Sequence, residues 1–173
     1  GNRNTFCGNS AGSGLTTGSD NTFLGYKAGN ATTTADNNVA IGKEAFYSNA
    51  TGAENVAVGR EAAYSATTAG SCVAIGYQAG YSNNSSQNTF VGYRAGKANT
   101  SSDVTYIGFD SGLHATGNSN TCLGHRTLDA SSCTGSANTA IGREGLSGLT
   151  NGVHNTALGY FAGHDLTTGD YNV

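Results

Sequence analysis

The 173-residue chain contains no proline, no methionine and no tryptophan, and only 11% of its residues are charged, with a formal net charge of -3. So sparse and slightly acidic a charge set offers no dense positive field, which excludes nucleic acid and an anionic membrane surface as expected partners. No apolar run approaches the roughly 20 residues that span a bilayer, so direct membrane insertion of this segment is not expected. No basic-then-apolar leader opens the chain. Four cysteines, Cys7, Cys72, Cys122 and Cys133, lack any paired metal-type spacing. Cys122 and Cys133 are close enough in sequence for a disulfide across one loop, with free thiols as the alternative.

What is abundant is glycine, 27 residues of it, and much of it is periodic. A five-residue phrase, Asn, then Thr or Val, then a variable residue, an aliphatic and Gly, recurs along the chain. Its glycines are Gly8, Gly25, Gly42, Gly59, Gly76, Gly92, Gly108, Gly124, Gly142 and Gly159. Their spacings are 17, 17, 17, 17, 16, 16, 16, 18 and 17 residues. Self-similarity at this period is the signature of a solenoid. A glycine in mid-pattern at every repeat, among many Thr, Ser and Asn residues, works against helix. The expected fold is therefore all-β: a parallel β-solenoid of about ten coils of 16 to 18 residues, occupying residues 1–173 as a single domain. With coils about 4.8 Å apart, the rod is on the order of 45 Å long.

The columns of the repeat carry the rest of the reading. The residue before each glycine is apolar, and the residue three before is always Thr or Val. Being two apart, they share one face of a strand, and that face is expected to be the core. The residue between them, at Phe6, Phe23, Phe90 and Tyr106 among others, is then expected to point outward and form an interface with other copies. Asn stands four before the glycine in eight of ten repeats, a position suited to a corner and to a hydrogen-bonded amide ladder. Very small residues three after the glycine imply a tight corner or a second strand across a thin core. A coil of this length has room for two short strands and two turns.

The residue following the glycine is aromatic or basic in most repeats. Tyr26, Tyr77, Tyr93, Phe109 and Tyr160 in this column are the candidate ligand-contacting residues, or else line a groove between chains with cation–π stacking. No catalytic constellation, metal site or cofactor is expected. The four histidines form no ligand spacing, Glu44 and Glu61 read as a surface charge ladder beside Lys43 and Arg60, and no acidic pair is singled out for glycoside hydrolysis.

The phrases Asn38–Gly42, Asn55–Gly59 and Asn138–Gly142 resemble the head repeats of YadA-type trimeric autotransporter adhesins and related bacterial or phage fibre proteins. That resemblance implies a left-handed β-roll in each chain and a homotrimer that adheres to a surface. The repeat departs from the family in its longer polar loop and in the aromatic residues Phe23, Phe90 and Tyr106, where the family usually has Ala. The expectation is an adhesive or structural segment of a longer fibre protein, extracellular, on a cell surface or a virion. Its partners would be a glycan or protein of a host or prey surface. A carbohydrate-binding module using the Tyr, Asn and Thr surface is the second expectation. Ice binding is set aside because the regular Thr column shares parity with the assumed core.

Overall fold

A computed structural model describes residues 1–173. It contains no helix, and its strands are ten three-residue segments. These are β1 (Thr5–Cys7), β2 (Thr22–Leu24), β3 (Val39–Ile41), β4 (Val56–Val58), β5 (Val73–Ile75), β6 (Thr89–Val91), β7 (Thr105–Ile107), β8 (Thr121–Leu123), β9 (Thr139–Ile141) and β10 (Thr156–Leu158). They form one parallel sheet in sequence order, in strict column register: Thr22 pairs Val39, Phe23 pairs Ala40 and Leu24 pairs Ile41. The chain is thus an all-β parallel solenoid.

Each coil has one strand, where room for two was expected. The remainder is built from turns whose backbone alternates into the left-handed region. In the coil around Gly42, Asn37 (φ 59°), Glu44 (φ 56°) and Phe46 (φ 55°) all have positive φ, as does the corner glycine at 129°. The alternation lets these turns bond from coil to coil as a sheet does. Glu44 N–H donates back to Tyr26 O at 2.8 Å, and Phe46 N–H donates forward to Ala62 O at 2.9 Å. Of 97 backbone hydrogen bonds only 18 lie within strands, so the stack is held around most of its perimeter. At the corner itself only glycine fits, because a Cβ on Gly42 would lie 2.7 Å from the Gly59 carbonyl oxygen in the next coil.

The inside of the rod reverses the expected parity. Phe23, Ala40, Ala57, Phe90, Tyr106, Cys122 and Ala140, the middle residues of their strands, are wholly buried. The flanking Thr or Val and aliphatic columns face solvent. The cause is the thinness of the coil. A cross-section closed by one strand and a set of turns has room for about one large side chain, so the inner columns are Ala or Cys with a single large residue wherever space allows. That residue comes from either of two positions. Phe23, Phe90 and Tyr106 face Gly29, Gly96 and Gly112 of their own coils, whereas Ala40, Cys122 and Ala140 face Phe46, Leu128 and Leu146. A Cβ on Gly29 would meet the Phe23 ring at 2.6 Å, so the aromatic ring occupies the volume that the missing side chain vacates.

The asparagine ladder is present and buried. Asn38 Oδ1 accepts from Asn55 N–H and Nδ2, both at 3.0 Å, while Asn38 Nδ2 donates to Gly52 O at 3.0 Å. The same pattern runs through Asn4, Asn21, Asn55, Asn138 and Asn155. It breaks at Cys72 and Val104, and near these breaks a second buried amide is present in the coil. Asn83 Oδ1 accepts from Asn88 Nδ2 at 2.9 Å, and Asn99 Oδ1 accepts from Ser101 N–H at 3.0 Å.

All four cysteines are free thiols, Cys7 exposed and the other three buried. The 18-residue coil carries its extra length near Asp129–Ser132, after which Cys133 rejoins the stack opposite Ala115. Burial pushes the Cys72, Cys122 and Cys133 thiols and the Tyr106 phenol well above their ordinary values.

Asn38→Ala leaves the Asn55 N–H without an acceptor in the interior, while the Gly52 carbonyl keeps its bond from Asn49 Nδ2 at 2.9 Å, and is expected to cost about 2 kcal/mol. Asn30→Ala, on the surface, should stay within about 0.5 kcal/mol of the parent; urea unfolding separates the two. A thiol reagent should find one fast-reacting group in the native protein, Cys7, and four in denaturant. Raised thiol pKa values also set a direction with pH. Above about pH 9 the unfolded chain ionises these thiols while the folded chain keeps them protonated, so the stabilisation that is complete below that pH is lost above it. Urea midpoints at about pH 8 and pH 10 should differ by about 1 kcal/mol or more in stability, with the higher pH less stable.

Candidate functional site

Because the large inner residues are spoken for, the outer strand face has to be read afresh. Phe23, Phe90 and Tyr106, expected at an interface between copies, lie in the core of one chain. Phe6 belongs to the same inward column; it is 40% exposed at the first coil and its ring stacks on Phe23 with centroids 5.2 Å apart. The residues facing outward are instead the two columns assigned to the core. One consists of Thr5, Thr22, Val39, Val56, Val73, Thr89, Thr105, Thr121, Thr139 and Thr156, and the other holds Cys7 and then only Leu, Ile or Val. None of these twenty positions is charged. Leu24, Ile75, Ile107, Leu123 and Ile141 each keep more than a third of their surface in solvent. A strip two residues wide, about 7 Å, and ten coils long, about 45 Å, is a continuous apolar surface on the order of 300 Å². Chemically it can bury itself against another surface and do little else.

The outward Thr column also removes the premise on which ice binding was set aside. Three of its ten members are Val, however, and its neighbouring column is aliphatic, so the hydroxyls form one interrupted file.

Beside this strip runs the ridge that follows the corner glycine. Tyr26, Tyr93, Phe109 and Tyr160 are exposed and Tyr77 half-buried. The coil spacing stacks the rings on one another: Tyr77 on Tyr93 at 5.2 Å, Tyr93 on Phe109 at 5.0 Å and Phe109 on His125 at 5.1 Å between centroids. Where the ring column is interrupted, cations fill in. Lys43 Nζ lies 5.9 Å from the Tyr26 centroid, Arg60 lies 5.7 Å from Tyr77 and Arg143 lies 5.7 Å from Tyr160. Stacked rings present their edges to solvent and their faces to each other. A sugar that needs an open aromatic face finds little of one here.

A second ring column went unnoticed in the sequence: Tyr47, Tyr64 and Tyr81, five residues after their glycines, stacked at 4.9 and 5.0 Å. Their identity at one repeat position was the available signal. Burial of Tyr64 between its neighbours is the leading cause that holds its phenol above the ordinary value.

Most of the acidic residues have local partners. Glu61 accepts from Gln78 Nε2 at 2.7 Å and pairs with Arg60 at 2.9 Å, and these bonds, Gln78 foremost, hold its carboxyl below the usual range. Glu44 pairs with Lys43 at 3.8 Å. No three His, Cys, Asp or Glu side chains come together in a group that could hold a metal ion. His125 belongs to the ring ladder, His154 stacks on Tyr171 at 4.9 Å, and His114 and His164 lie beside Asp129 and Asp165. Compared with protein-family models, with curated proteins and with solved structures, the chain matches none.

Phe90 and Tyr93 lie three residues apart in one coil, one in the core and the other on the ridge. Phe90→Ala is expected to cost about 3–5 kcal/mol. Tyr93→Ala should cost only about 1 kcal/mol, the loss of two ring stacks in water. Urea unfolding of the two variants checks the assignment of inside and outside.

Proposed function

We propose that this chain is a segment of a surface-exposed homotrimeric fibre in which each chain coils as a left-handed β-roll and contributes length, stiffness and adhesive surface. The observation that carries this reading is the uncharged Thr/Val and aliphatic strip along the whole rod, left in water by a single chain. Three parallel rods turned so that their strips meet at a common axis would bury that surface at every coil. Strict strand register from coil to coil lets the contact continue along the rod even where the repeat length changes from 16 to 18 residues. The resemblance of the Asn–Val–Ala–Ile–Gly phrase to trimeric adhesin head repeats supports three chains in the assembly. The fibre would act outside the cell, on a cell surface or a virion, against a glycan or protein of another surface. In this arrangement the aromatic and basic ridge borders the axis and packs between neighbouring chains, and no catalytic step is assigned to the segment.

Light scattering on the purified segment is expected to give three times 17.4 kDa with a β-type circular dichroism spectrum. Ile107→Glu combined with Ile141→Glu places charge on the strip without touching the core, and should return a monomer with the same spectrum. A parent chain that remains monomeric at high concentration overturns the trimer. The free strip would then be assayed for thermal hysteresis as an ice-facing surface.

A further inference from the structure

The Tyr47–Tyr64–Tyr81 column stops abruptly. In the next two coils the same repeat position holds Lys97 and Leu113, and at this step the surface opens into a groove of about 320 Å³. That volume is at the lower end of the range for small-molecule sites. Tyr81, Ser82, Arg94, Lys97, Leu113 and His114 line it, drawn from three successive coils.

Its charge is unlike the rest of the molecule. The chain is net negative and has only eight Lys and Arg residues, yet two of them line this one groove and no carboxylate does. The acids stand behind the cations as supports. Asp110, 4% exposed, receives Arg94 Nε at 2.8 Å and Nη2 at 2.5 Å, which fixes the guanidinium and leaves three of its five N–H groups free. Asp129 accepts from Arg126 Nε at 2.8 Å and has its other oxygen 3.6 Å from His114 Nδ1. Lys97 forms no ion pair; its ammonium lies 5.9 Å from the Tyr81 centroid. One face of Tyr81 is covered by Tyr64, and Lys97 follows it in the column in place of a ring. Leu113 adds an apolar wall and Ser82 a hydroxyl.

From these features we propose that the groove binds an acidic saccharide, a pyranose ring carrying a carboxylate. The pyranose ring lies in the groove against Tyr81 and Leu113, and the carboxylate sits between Lys97 and the positioned Arg94. A positioned guanidinium and an unpaired ammonium suit a carboxylate better than they suit a neutral sugar. The site differs from the glycine-following ridge in being a groove with volume for a ligand, where the ridge is a run of stacked ring edges. None of its residues belongs to the outer strand strip or to the ridge column.

The test uses the 173-residue chain and three probes, D-glucuronic acid, D-galacturonic acid and N-acetylneuraminic acid, titrated by NMR. At least one is expected to bind with a Kd in the millimolar range and to shift resonances of Tyr81, Lys97 and Leu113. D-glucose should bind at least about tenfold more weakly, and so should inorganic sulfate. Lys97→Gln, checked for an unchanged circular dichroism spectrum, should weaken binding by about tenfold, whereas Arg60→Gln elsewhere on the rod should leave it unchanged. The proposal is overturned if none of the three acids binds, if glucose or sulfate alone binds as well as they do, or if Lys97→Gln binds as tightly as the parent.

Discussion

Everything in this rod depends on the coil-to-coil hydrogen bond, which puts each residue directly over its counterpart one repeat away. Strand residues bond this way as a parallel ladder, and turn residues do so through their alternating left-handed backbone, as Glu44 and Phe46 show. Once that register is fixed, every side chain meets its own kind at about 4.8 Å, and a column succeeds only if its residue type tolerates its own company. Amides do so by donating and accepting at once, which is why Asn38 can stand between Asn21 and Asn55 with its polar atoms satisfied. Aromatic rings do so by stacking. Like charges do so only with a partner of opposite sign beside them: Lys43 and Arg60 are counterparts in successive coils, and each pairs with the carboxylate that follows it, Glu44 or Glu61.

The same register explains what could be read from the sequence. A period near 17, a glycine at each corner and an asparagine ladder are direct consequences of stacking, and each was visible as a column. The inside and outside of the strand were not, because the parity of a three-residue strand says only that its outer two residues share a face. Choosing which face is the core required a size argument. Large β-branched and aliphatic residues were assigned to it on the rule for an ordinary half-buried strand, and the rule fails where the enclosed cross-section admits one ring at most. A deciding signal was present at two positions six residues apart. Phe6, Phe23, Phe90 and Tyr106 are each followed by Gly12, Gly29, Gly96 and Gly112, while Ala40 is followed by Phe46 and Ala140 by Leu146. Such exchange of volume within a repeat is what a shared interior demands.

The candidate sites divide along the same line. Tyr26, Tyr77, Tyr93, Phe109 and Tyr160 could be grouped from sequence because they occupy one column, and the structure brings them onto one ridge. Their ring faces, which decide what they can hold, depend on the stacking distance and could not be read from the column. The groove at Tyr81 was illegible for the opposite reason. It arises where a column changes, from Tyr81 to Lys97 to Leu113, and a repeat-based reading attends to what recurs.

An inverted solenoid of this kind has an energetic consequence for its surroundings. A globular domain hides its Ile, Leu and Val residues and leaves its polar residues in water. This chain buries Ala, Asn and at most one ring per coil, and leaves Ile75, Ile107, Leu123 and Ile141 a third or more exposed. The part of their surface that folding leaves in water keeps its hydrophobic free energy available to whatever covers the strip. Because the strip repeats at every coil, each added coil lengthens the rod and the contact together. Stability of the single chain then rests on backbone pairing, the amide ladder and a thin core of Ala and a few large side chains, and the outer aliphatic face adds least to it. Folding and any contact made through the strip therefore draw on different columns of the same repeat, and a substitution can disable one while sparing the other.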